Sequence, residues 1–457
     1  MTTTLPDPST PAATPAATPA TTPAAAPGLR GLDRRDLRAR FAPLFARVAA
    51  AGLRHEAERT QPFEEVRLLK EAGFGALRVP VEAGGLGVSL EELFALLLDL
   101  GAADSNLPQI WRNHLAFVED TRHGERHARW RRELVGGAFF GGAWSEIGGD
   151  TMLDLVTTLT PAGDGDGGDG SQVLNGRKYY STGSIFSDWV SVLAKAGPEE
   201  ILLVLVRTDS PGVRLAEDWT GVGQRQTGSG SAFFENVAVP AGQSYPFADR
   251  APYQEAFYQL VHLATLGGIA RAAHRDLVDQ LRRRTRAYPH ALAAVPAQDP
   301  QHQEVVGRVG ALASSIEASV LWAARALDTV VDAFDALTAD APDGGAPDGG
   351  AERRRQVDEL LRRATIAVYE AQLTATDAAL EAATILYDAL GSSALATSTL
   401  LDRHWRNART VSSHNPRVYK ARIVGDWHLN GTDPIAAFLG ALGTPAAASP
   451  NSDRKEP

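Results

Sequence analysis

VLNGRKYYSTGSIFSDWVSVLAKAGPEEILLVLVRT, residues 173–208, decides the architecture. Its apolar runs are short, rich in Val and Leu, and broken by Gly, Ser, Asp and Pro. That is strand punctuation, too interrupted for helices. The pattern extends on both sides, through VTTLTP at 156–161 and GSAFFENVAVP at 230–240. Residues 138–250 are therefore expected to form a small β-barrel or sandwich domain. The pair Asn175–Gly176 has the composition of a type I′ turn. The insert AGDGDGGDGSQ at 162–172 reads as an exposed hairpin tip.

Outward from this block the period changes to that of helices. On the N-terminal side, FAPLFARVAAAGLRHEAERT (41–60), PFEEVRLLKEAGF (62–74) and SLEELFALLLDLGAAD (89–104) carry apolar residues at helical spacing. Pro62 suits a first turn, and Ser89 with Glu92 has the form of a capping box. On the C-terminal side, helices are expected near 253–287, 302–340 and 352–390, the last two separated by APDGGAPDGG at 341–350. The chain thus divides into a helical domain at 30–137, the β domain at 138–250 and a helical bundle at 251–439. Thr/Pro/Ala-rich 1–29 and the polar 440–457 lack the composition to bury a core and are expected to be disordered tails.

Composition narrows the function. Hydrophobic residues make up 44% of the chain and charged residues 22%, ordinary for a soluble domain. A formal net charge of −10 argues against nucleic acid as the main partner. With no cysteine, disulfides, thiolate chemistry and Cys-held metals are excluded; no metal site is expected. No apolar run of roughly 20 residues suggests a membrane span, and 1–28 lacks a signal peptide's basic and apolar regions. A cytoplasmic protein is expected. No G-x-G-x-x-G opens a helix after a strand, so no nicotinamide dinucleotide is bound in the usual way.

Helices, then a β domain, then long helices, at this length, resemble the acyl-CoA dehydrogenase superfamily. Four segments carry the resemblance: GGAWSEIGG (141–149), LNGRKYYSTGSIFSDWV (174–190), WTGVGQRQTGSGSAFFENVAVP (219–240) and RHWRNARTVSSHNPRVYKARIVG (403–425). The fold implied is α+β: an N-terminal α domain, a middle β-barrel and a C-terminal four-helix bundle, with flavin where they meet. The last segment points to the flavin-dependent monooxygenase branch, which includes dibenzothiophene monooxygenase and sulfur-acquisition oxidoreductases. Common dehydrogenases carry a glutamate there to remove a carbon-bound proton. Arg406 to Arg417 contains no Asp or Glu and offers His414–Asn415–Pro416 instead.

The resemblance implies a two-component system. Reduced FMN, supplied by a separate NAD(P)H:flavin reductase, reacts with O2 to a C4a-(hydro)peroxide. This oxygenates a small organosulfur compound or N-hydroxylates an amine. His414 would manage the proton, Ser181 would hydrogen-bond flavin or peroxide, and His114 would line the pocket. Trp144, Ser145, Tyr180, Thr182, Gly183 and Asn415 would border the cofactor, and Trp219 the substrate. One of Arg282, Arg283 and Arg284, with Arg283 preferred, would reach the flavin phosphate. Related enzymes commonly have asparagine where this chain has Gly142, so a hydrogen bond is missing there. LYDALGSSAL (386–395) resembles a turn touching the neighbouring subunit's cofactor, in a homotetramer. The alternatives are an FAD-dependent acyl-CoA dehydrogenase with a displaced base and a non-catalytic flavin-binding homologue.

Overall fold

The computed structural model describes residues 36–146, 154–162, 170–197, 200–339 and 350–436. The tracts at 1–29 and 440–457, most of the Gly/Asp insert and nearly all of the PDGG linker lie outside these residues. The N-terminal region is helical: α1 (Leu37–Glu58), α2 (Phe63–Glu71), α3 (Leu90–Ala103), α4 (Asn106–Asp120) and α5 (Ala128–Val135). Ser89 forms the expected capping box with Glu92. Asp328, from a distant helix, takes the next two amides, Leu90 N and Glu91 N, at 2.7 and 3.0 Å. The start of α3 is thereby satisfied and tied to the C-terminal bundle.

The middle region is an eight-stranded sheet: β1 (Phe140–Ala143), β2 (Thr158–Pro161), β3 (Gln172–Lys178), β4 (Trp189–Lys195), β5 (Ile201–Arg207), β6 (Val213–Leu215), β7 (Ala232–Val239) and β8 (Ser244–Pro246). Its hydrogen-bonded path runs β6-β7-β3-β2-β4-β5-β8, with β1 parallel to β4; β6 and β8 are its edges among the described residues. β4 and β5 read as unbroken apolar runs because both faces are covered. Val190, Val192, Val204 and Val206 fill the sheet's own core. Trp189, Leu193, Leu203 and Leu205 point the other way, into the core shared with the helices.

One turn expectation is corrected. Asn175–Gly176 does not reverse the chain: it lies within β3, flanked by β2 and β7, where the register shifts between Leu174 and Gly176. Gly176 has φ +155°, and a Cβ there would come within 2.3 Å of Thr157. The pair serves as a bulge, which also needs glycine but bends a strand without ending it.

The C-terminal region is built on three long helices, α6 (Gln254–Arg283), α7 (Pro300–Ala339) and α8 (Gly350–Leu390), completed by α9 (Asp402–Ser412) and α10 (Val418–Asn430). α6 stops at Arg283 because Arg284 leaves helical geometry, and its guanidinium caps the last carbonyls of α8, Ala389 and Leu390, at 3.2 and 2.9 Å. A buried pair, Arg78 with both oxygens of Glu119 at 2.8 Å, is joined by the Tyr253 hydroxyl and locks the N-terminal helices to the start of the bundle. Among the described helices, α7 alone is long and apolar enough to cross a membrane by length and composition. It packs along α6 and α8, yet only 22% of its most apolar window is buried, which leaves an outward apolar face including Trp322.

Candidate active site

The site is organised by an elbow between α9 and α10. Pro416 has no amide to continue a helical ladder and disfavours helical geometry before it, so α9 ends at Ser412. His414 and Asn415 stand in the bend. Asn415 is pinned from two sides: its amide donates to Gln259 Oε1 at 2.8 Å, and its carbonyl accepts from Gln372 at 3.3 Å. α9 is fixed in turn by Arg406, which bonds Asp402, Glu56 and the Val222 carbonyl, and by Asn407, which bonds Ser105 and Gln224.

His414 is exposed at the elbow although protein lies around its ring. Burial, then the Arg112 cation, hold its pKa down to about 3, so the imidazole is neutral at physiological pH. Its ring meets His262 of α6 edge-on, with centroids 4.2 Å apart. His262 is 1% exposed, and neither ring nitrogen has a hydrogen-bond partner. Tyr258, one turn earlier on α6, carries the Arg112 guanidinium over its ring at 5.0 Å and packs edge-on against Trp144 at 5.5 Å. Trp144 is reached from β1, and fully buried Lys178 holds its carbonyl at 3.1 Å. Lys178 also pairs with Glu146, whose carboxylate caps Val156 N and Thr157 N, so the acid nearest Trp144 is spent. Glu255, the carboxylate whose field reaches Arg112, bonds Arg250 at 3.4 Å.

The structure thus brings together Trp144, His414 and Asn415 and adds Arg112, Tyr258 and His262. Thr182 borders this group: its carbonyl accepts from Asn113 of α4 at 3.2 Å, and its hydroxyl bonds Ser229 at 2.8 Å. Asn113 also explains Gly142. A Cβ at 142 would lie 2.5 Å from the Asn113 amide, so an amide from α4 occupies the space that a side chain at 142 would enter. Ser145 is exposed next to Trp144, its carbonyl accepting from Tyr179 N at 2.9 Å. Tyr180 and Trp219 form a separate aromatic patch, edge-on at 5.5 Å, with the Trp219 indole donating to Gly223 at 3.2 Å.

Four of the expected site residues have other partners within this chain. His114 faces the core: its Nε2 donates to the Gly75 carbonyl at 2.9 Å and its Nδ1 accepts from Phe140 N at 3.2 Å. Both nitrogens are consumed by main chain, and the ring lines a cavity of about 400 Å³ together with Gly75, Trp111 and Val135. Ser181 is fully buried and gives its hydroxyl hydrogen to the Gly230 carbonyl at 2.8 Å, leaving none for flavin or peroxide. Gly183, at φ +80°, does not offer open backbone; a Cβ there would lie 2.5 Å from the Ile110 carbonyl. Arg283 projects from the end of α6, exposed and 3.8 Å from Asp279. Arg112 and His262 are not legible as site residues in the sequence because each sits in a helix whose pattern reads as core. The one signal is the WRNHLAF segment itself, in which Arg112 stands two residues from His114.

The donor set fits a flavin ring: aromatic walls at Trp144 and Tyr258, neutral hydrogen-bonding edges at Thr182, Ser145 and Asn415, and the acids Glu146 and Glu255 each paired. Family comparison agrees. The acyl-CoA dehydrogenase middle domain matches residues 142–237 and the acyl-CoA dehydrogenase C-terminal domain matches 260–416. A probable FMNH2-dependent monooxygenase of Pseudomonas putida, SfnC, is 27% identical over 394 residues, 82% of this chain and 90% of that protein. The dibenzothiophene monooxygenase of Mycolicibacterium goodii is 26% identical over 393 residues, 82% and 89% of the two chains. The crystal structure of FMN-bound TdsC from Paenibacillus sp. A11-2 superposes with a TM-score of 0.73 at 26% identity, covering 86% of this chain and 98% of that one. With its three regions in this order and an imidazole in the cleft, the chain belongs to the acyl-CoA dehydrogenase superfamily, on the branch of its FMNH2-dependent monooxygenases.

Proposed function

We propose that this protein is the oxygenase of a two-component flavin system acting on a small organosulfur compound. The observation that carries the reading is the imidazole of His414 at the elbow, with the nearby carboxylates Glu146 and Glu255 each paired to a cation. A dehydrogenase needs a carboxylate there to take a carbon-bound proton; a neutral imidazole, with one N–H and one lone pair, can instead donate to or accept from an oxygen. Reduced FMN, when bound, supplies two electrons to O2, one oxygen atom passing to the substrate and the other leaving as water.

The chain's own residues provide the setting. His414 holds the proton at a ring nitrogen, with Asn415 fixing the elbow through Gln259 and Gln372. Trp144 and Tyr258 wall off water. Thr182 and Ser145 border the ring. Arg112 tilts the choice between sulfur and nitrogen: an unpaired guanidinium repels the ammonium form of an amine and tolerates a neutral or anionic sulfur compound. Arg283 would reach the flavin phosphate of a neighbouring subunit, which its exposed position favours. The outward apolar face of α7 supports a homotetramer. A separate NAD(P)H:flavin reductase and a cytoplasmic setting complete the reading.

The test is turnover with enzymatically supplied FMNH2 against panels of organosulfur compounds and amines, following sulfoxide, sulfone or hydroxylamine formation. Oxygenated sulfur products are expected. Purification with stoichiometric FAD that acyl-CoA reduces would instead make the protein a dehydrogenase.

A further inference from the structure

Arg112 is a cation with no ion-paired or hydrogen-bonded partner among the described residues. It stands on α4 with its Nε buried and unbonded. Its neighbours are the faces and edges of rings: Tyr258 at 5.0 Å, with His262 and His414 close enough for its charge to depress both imidazoles. Several other charged side chains nearby are paired, while the buried carboxylate Asp120 accepts from Ala251 N and Gln254. Arg78 has Glu119, Arg250 has Glu255, Lys178 has Glu146 and Arg122 has Asp335. A guanidinium walled by protein and left unpaired is costly, and so is an imidazole buried with both nitrogens idle. Here the two lie beside the same ring, His414. Both costs are relieved by one event, the arrival of an anion that accepts from Arg112 and from an imidazole N–H.

We infer that Arg112 anchors an oxyanion of the substrate, with His262 as a second donor, so that the compound oxygenated is itself a small anion bearing a carboxylate, sulfinate or sulfonate. The inference rests on the oxygenase reading of this cleft and names its substrate class. Charge neutralisation has a chemical consequence. Once the guanidinium is paired, it no longer opposes protonation of His414, so substrate arrival makes that imidazole a better proton acceptor. The flavin phosphate is the competing anion. Arg112 lies among the rings of Tyr258, His262 and His414, and a separate titration with FMN distinguishes the two anions.

Equilibrium binding tests this without turnover. The full chain is titrated calorimetrically with methanesulfinate and with dimethyl sulfoxide, a neutral molecule of similar shape, and separately with FMN. Methanesulfinate is expected to bind at least about tenfold more tightly than the neutral analogue, as loss of a charge-assisted hydrogen bond implies. Arg112→Met should abolish that preference, Arg112→Lys should keep part of it, and neither should change FMN affinity. The inference is overturned if the wild-type chain does not prefer the anion. It is also overturned if Arg112→Met binds methanesulfinate as the wild type does, or if Arg112→Met loses FMN instead, which would give the guanidinium to the flavin phosphate. The wild-type comparison needs no variant, so a misfolded variant cannot blur the outcome. If the anion binds through Arg112 and yet FMNH2 turnover oxygenates nothing, the oxygenase reading fails while the anion site stands.

Discussion

His114 and His262 are equally buried, each 1% exposed, and they are opposite in kind. A neutral imidazole has one N–H and one lone pair. His114 spends both on main chain: the Gly75 carbonyl can only accept and the Phe140 amide can only donate, which fixes the Nε2–H tautomer. His262 spends neither, and its ring abuts the imidazole of the elbow. The first has the settlement expected of a group that holds structure together. The second carries an unmet demand, which natural cores tolerate where a ligand will meet it. Burial alone does not separate the two cases; the hydrogen-bond account does.

The strongest way to break this contrast is at the elbow. His414→Gln should lower oxygenation by about 10²–10⁴-fold, the usual worth of a positioned acid–base group, while FMN affinity and melting temperature hold. A small loss in single-turnover measurements would remove His414 from the chemistry. The next largest effect is on stability. His114→Ala should destabilise the fold by about 3 kcal/mol, since it leaves a buried carbonyl and a buried amide unpaired and opens a cavity. Chemical denaturation measures this; turnover per folded molecule should fall little. The pH dependence follows the same account. Burial holds His114 and His404 at about 4 and His414 at about 3, below the unfolded value near 6.5. As pH falls, the unfolded chain takes up protons first, so stability is lost progressively from about pH 6.5 down toward 4. A melting temperature flat across that window would contradict it.

The fold is legible because its signals are local and repeated. Short Val/Leu runs between Gly and Pro mark the sheet, the capping box at Ser89 marks the start of α3, and long helical periods mark α6, α7 and α8 to within a few residues. Asn175–Gly176 misleads because a bulge and a turn ask for the same residues. Of the site, the elbow is legible: the missing acid and Pro416 are both one-dimensional facts. The α4 contribution is not. His114 and Arg112 are two residues apart, about 200° around a helix, so they face opposite sides. Sequence picks the helix, but packing picks the face, and here the core took the histidine and the cleft took the arginine. Ser181 misleads for a related reason: which way a loop hydroxyl turns depends on Gly230, forty-nine residues away.

Two smaller effects sharpen the comparison further. His262→Phe removes two idle polar atoms from a packed interior and keeps a ring against His414. It should stabilise the isolated chain by about 1–2 kcal/mol while weakening binding of an anionic substrate, a trade of stability for function. If the variant is instead destabilised, His262 has partners that its surroundings do not reveal. Last, Arg112→Met should raise the pKa of His414, because one of the two causes holding it near 3 is removed while burial, the larger cause, remains. The shift is therefore upward but incomplete. The ring should titrate above its wild-type value, still below that of a free histidine, in an NMR pH series on labelled imidazoles. The same upward shift should appear in wild-type protein saturated with methanesulfinate, since pairing a guanidinium and deleting it have the same sign at the neighbouring ring. An anion that binds without moving His414 would lie elsewhere, and the two features of the cleft, the lone cation and the idle imidazole, would then have separate explanations.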